Sequence, residues 1–125
     1  MLKPGTEEKL LTEYRDVVAA DGAKRAFDVL LEWARTSQSL ECFPKPQGYL
    51  RSFRYFRGTA WEFAFIPNAQ WVLFYFRRPG LEHSKLTRSS ILGQFPDAKE
   101  LKGGDFSLRI RDPDRARAVV DYAAS

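Results

Sequence analysis

The stretch YLRSFRYFRGTAWEFAFIPNAQWVLFYFRR, residues 49–78, holds eleven aromatic side chains and five arginines in thirty positions. Its pattern has period two. Tyr49, Arg51, Phe53, Tyr55 and Arg57 alternate with Leu50, Ser52, Arg54 and Phe56, as side chains on a strand alternate between two faces. Gly58-Thr59 supplies a turn. Trp61, Phe63 and Phe65 then alternate with Ala60, Glu62, Ala64 and Ile66. Pro67-Asn68 is a second turn signal, because proline presets φ and asparagine tolerates a left-handed conformation. The run WVLFYFR that follows is large and apolar on both faces, which is the pattern of a central strand covered on both sides. Strands at about 49–57, 60–66 and 70–77 with such short connections predict an antiparallel meander.

Upstream, Leu10, Leu11, Tyr14, Val17 and Val18 fall at helical spacing within residues 6–20, behind a candidate Thr6 cap. Asp21-Gly22 interrupts the pattern. A second helix over 22–36 carries Ala23, Ala26, Phe27, Leu30, Leu31 and Ala34 on one stripe. Pro44 and Pro46 make residues 36–48 a loop. Downstream, residues 84–95 hold a weaker helical pattern (Leu86, Ile91, Leu92, Phe95), with Ser84 or Thr87 as cap. Residues 105–111 read as a strand, with Phe106, Leu108 and Ile110 on one face and Ser107, Arg109 and Arg111 on the other. Asp112 and Pro113 open a last helix whose stripe is Ala116, Val119, Val120 and Ala123. The order is ααβββαβα: one α+β domain over residues 1–125, with a four-stranded, mostly antiparallel sheet packed by helices. The helical hairpin occupies about 6–36, and the sheet with its C-terminal helices about 49–123.

A chain of 125 residues with 44% hydrophobic and 29% charged residues suits one ordinary core. No apolar run approaches the roughly 18–20 residues of a membrane span. The N-terminus has no apolar leader segment, and Cys42 is the lone cysteine, so a cytoplasmic protein without a membrane partner is expected. The net charge of +4 is unevenly spread. Residues 49–88 carry seven basic groups against Glu62 and Glu82, whereas residues 89–125 balance six against six. A local excess of this kind attracts anions whatever the fold.

Motifs that name a reaction are missing. Arg57-Gly58-Thr59-Ala60-Trp61 resembles the opening of the first ribonucleoprotein motif of RNA recognition motifs. Thr59 stands where that motif wants a stacking aromatic, however, and the chain begins with two helices rather than a strand. Gly103-Gly104-Asp105-Phe106 lacks the glutamate of the GGDEF signature and reads as a flexible turn. Pro96-Asp97 and Glu100-Leu101-Lys102 carry the letters of a PD-(D/E)xK nuclease, but three residues of separation on one loop cannot bring those groups together on a metal. One histidine, His83, and one cysteine are too few for a zinc site or a nucleophilic triad. No metal, cofactor or catalytic residue is therefore expected.

Arginine stacks on rings and grips phosphate or carboxylate in a bidentate way, so the arginine-aromatic sheet points to binding. The expected function is a small non-catalytic module that binds nucleic acid. Arg51, Arg54, Arg57, Arg77 and Arg78 would contact phosphates, and Tyr49, Tyr55, Trp61 and Trp71 would stack or pack around the site. Two other readings use the same residues: a protein-interaction domain (a homodimer, an immunity-type partner or an accessory subunit) and a domain for a small anionic ligand.

Overall fold

The alternation at residues 49–78 becomes three consecutive strands in the computed structural model, which describes residues 1–124. These are β2 (Leu50–Arg57), β3 (Ala60–Pro67) and β4 (Val72–Phe76). Before them come α1 (Glu8–Asp16), α2 (Asp21–Thr36) and β1 (Glu41–Gln47). After them follow α3 (Arg78–Ser84), α4 (Arg88–Gln94), β5 (Lys99–Glu100), β6 (Phe106–Ile110) and α5 (Pro113–Ala124). The α+β class holds. The strand count does not: the sheet has six strands, in the order β1-β2-β3-β4-β6-β5, and every pair is antiparallel.

Each departure has a local cause. Pro44 and Pro46 sit in β1, an edge strand, where a missing N–H costs nothing on the free side. Cys42 donates its N–H to Met1 O and accepts from Lys3 N–H on the outer edge of β1. Residues 44 and 46 share that parity, so their nitrogens also point away from β2. Strand β5 is two residues long, too short to carry a period. Arg78-Pro79-Gly80, expected only to end the sheet run, starts α3 with Pro79 in its first turn. Gly80 is required there, because a Cβ would stand 2.7 Å from Glu62 O. Thr87 caps α4 by accepting the Ser90 N–H at 3.1 Å. Asp112 receives the Arg115 N–H at 2.8 Å at the start of α5.

All the large buried side chains lie on one side of the sheet, beneath the helices. Phe53 stacks on Phe65 at 4.9 Å between ring centroids, and Phe27 of α2 meets Phe65 edge-on at 5.4 Å. Phe74, Phe76, Leu108 and Ile110 continue that layer toward Ile91, Phe95 and Val119. Each aromatic buried there contributes several kcal/mol; truncating one to alanine typically costs about 3–5 kcal/mol. Strand β4 is central, between β3 and β6. Only Val72, Phe74 and Phe76 enter the core, however, while Leu73 and Tyr75 stay partly exposed on the far face. The expected cover on both sides is thus halved. Among the described residues, no helix is long and apolar enough to cross a membrane.

Candidate functional site

The face without helices is built from cross-strand rows. One row runs Phe43–Arg54–Ala64–Tyr75–Ser107–Lys99, each a direct register partner of the next across all six strands. Ala64 and Ser107 are small, so Tyr75 stands between two low neighbours. Beside this row, Ile66 pairs with Leu73 and Leu73 with Arg109. Two shallow grooves result, of about 290 and 570 Å³, and Tyr75 lines both.

At one end Trp61 is held rigidly. Its indole N–H donates to Phe63 O at 3.0 Å, and its ring stacks on Phe56, which stacks on Phe43. The guanidinium carbons of Arg54 and Arg77 both lie 4.0 Å from the Trp61 ring centroid. Arg77 donates to Trp61 O at 2.9 Å and faces Asp105 at 3.7 Å. Among the described residues Arg54 donates only to neutral groups, Ser52 Oγ at 3.2 Å and Gln47 Oε1 at 3.0 Å. Burial, and then the Arg77 charge, draw the Arg54 guanidinium below the usual arginine range. An arginine stays charged under any such shift. Two like charges therefore share one ring, and Asp105 pairs with only one of them, Arg77.

The other end repeats the arrangement. Arg109 lies 4.2 Å and Arg111 5.3 Å from the Trp71 ring centroid. Neither has an ion-pair partner among the described residues, and both are exposed. The two grooves together present Arg54, Arg77, Lys99, Arg109 and Arg111 against Asp97 and Asp105. Asp97 is already engaged by Arg115 and Asp105 by Arg77. Each cation–π contact contributes about 0.5–2 kcal/mol, enough to orient a side chain but not to neutralise it.

Five of the nine residues singled out in the sequence lie elsewhere. Tyr55 is in the core, fully buried, stacked on Trp33 at 4.5 Å and donating to Leu30 O at 2.7 Å. Arg51 shares its side of β2 with core residues Phe53 and Tyr55, not with Arg54. Arg57 is tied to buried Glu62 at 3.2 Å, and Arg78 to Glu82 at 2.9 Å. Tyr49 is 99% exposed at the β1–β2 hairpin tip. Arg54, Arg77, Trp61 and Trp71 do share the open face, and Arg109, Arg111, Tyr75 and Lys99 join them. The alternation of β6 already set Arg109 and Arg111 opposite the core residues; their segment's zero net charge concealed them. The chain matches no protein-family model, and neither curated proteins nor solved structures yielded a significant match.

Proposed function

We propose that the chain is a nucleic-acid-binding module rather than a catalyst, and that the helix-free sheet face is its binding surface. The observation that carries this reading is the repeated unit of one tryptophan under two arginines, with three of the four guanidiniums lacking a carboxylate among the described residues. Guanidiniums held over a ring present their donors outward without first losing side-chain freedom, and phosphate takes two of those donors at once. The uncharged floor of Ile66, Leu73 and Tyr75 offers contact to base faces. A lone buried thiol, Cys42, suits residence in a reducing cytoplasm. Fluorescence anisotropy of single- and double-stranded oligonucleotides at low and raised salt tests the proposal. Saturable binding that weakens with salt supports it, and no binding at low salt removes it.

A second reading rests on the hairpin tip. Tyr49 is 99% and Leu50 54% exposed, an apolar pair at a protruding turn that suits contact with a second copy of the chain. Light scattering across a concentration series tests it. A dimer weakened by Leu50→Ser favours this reading, and a monomer at every concentration rules out the homodimer.

A further inference from the structure

We infer, resting on the nucleic-acid reading above, that the face takes one single strand lying between the two arginine–tryptophan clusters, with a footprint of a few nucleotides. The clusters mark the two ends of β4: Arg77 follows its last residue and Trp71 precedes its first. Six residues of extended chain separate those positions, about 20 Å at about 3.3 Å per residue. A nucleic-acid strand stacked at about 3.4 Å per phosphate covers that distance with about six nucleotides, and an unstacked strand with fewer.

The chemistry changes along this line in the order a single strand requires. Charge is concentrated at the ends, on Arg54 and Arg77 and on Arg109 and Arg111. The middle strands are uncharged: Ile66 and Leu73 are register partners, Tyr75 rises between Ala64 and Ser107, and the one cation of that row, Lys99, lies at its outer edge on β5. Phosphates therefore anchor at the ends and bases lie on the middle. A duplex hides its base faces inside the stack, so it can use the ends but not the floor. Tyr75 borders both grooves, so one strand running from cluster to cluster crosses its ring.

The test uses oligothymidylates from two to ten nucleotides, a duplex of matched length, and the exposed-site variant Arg109→Gln beside the wild type. We expect affinity to climb with length to about six nucleotides and then level off. R109Q should weaken the hexamer about tenfold, the loss expected for one charge-assisted contact, and the dinucleotide, which can still sit on the intact Arg54–Arg77 end, by no more than about twofold. The duplex should bind more weakly than the single strand. If oligonucleotides bind but length, R109Q or strandedness has no effect, the two-ended footprint is overturned and the broader reading stands. Absence of binding to every oligonucleotide overturns both.

Discussion

Arg54 lies 4.0 Å from the centroid of the Trp61 ring with only Ser52 and Gln47 as hydrogen-bond acceptors among the described residues. Its charge is therefore available to an incoming anion. We expect Arg54→Gln to weaken binding of all sequences alike and to lower the slope of log affinity against log salt by about 0.7, one phosphate contact to a single strand. Anisotropy titrations at several salt concentrations measure that slope. An unchanged slope would show that Arg54 meets no phosphate.

The three tryptophans report on different places. Trp61 and Trp71 face the grooves, whereas Trp33 of α2 stacks on core Tyr55. Base stacking quenches an indole it covers, so an oligonucleotide should quench intrinsic fluorescence. Trp61→Phe and Trp71→Phe should each diminish the effect, while Trp33→Phe should preserve it in whatever fraction folds. Quenching that vanished only with Trp33 would place the ligand on the helical side.

Arg57 differs from Arg54 although both sit on β2. It is 3.2 Å from Glu62, a carboxylate only 1% exposed at the bulge between β2 and β3. Removing Arg57 strands a buried carboxylate, while replacing Glu62 with Gln strands an arginine that water reaches. Arg57→Ala should therefore cost about 3 kcal/mol in urea unfolding, and Glu62→Gln clearly less. Folded R57A should keep the wild-type salt slope. Equal costs for the two variants would refute the asymmetry.

Alternation was legible in most of the sheet, because aromatic and polar positions keep period two through Phe53, Phe65, Phe74 and Leu108; it breaks at Glu62, where the bulge turns Trp61 onto the open face while Phe63 stays in the core, although the pattern had set Trp61, Phe63 and Phe65 on one side. It could not say how many faces the helices cover. WVLFYFR is apolar at Leu73 and Tyr75 as well as at Val72 and Phe74, so one-sided and two-sided burial produce the same letters. Pro44 and Pro46 concealed β1, since proline excludes central strands but not edges, and the edge emerges only once Met1–Lys3 folds back on Cys42. The site was half legible for a related reason. Counting charge along the chain credits Arg57 and Arg78, whose partners Glu62 and Glu82 are close in space. It passes over Arg109 and Arg111, whose acidic sequence neighbours point elsewhere.

Stability should fall in alkali. Burial pushes the Cys42 thiol from 9.0 up to about 12 and the Tyr14 phenol from 10.0 up to about 12; burial raises Tyr55 well above its ordinary value too. These groups hold their protons in the folded chain and release them earlier when unfolded. Their contribution is complete below about pH 9 and is lost as pH rises toward 12. Urea midpoints should be flat from neutrality to about pH 8.5 and then decline, and Cys42→Ala should delay the onset of that decline by about a unit. A midpoint that rises above pH 9 would contradict the assignment.

The most direct measurement is a two-dimensional ¹H–¹⁵N NMR titration of the labelled chain with a thymidylate hexamer at low salt. Saturable shifts are expected at the Trp61 and Trp71 indoles, at the Arg54 and Arg109 side chains and along β4 around Tyr75, with α2 and α5 unmoved. Shifts confined to the helices or to the Tyr49 hairpin tip, or no saturable change at all, would contradict binding on the sheet face.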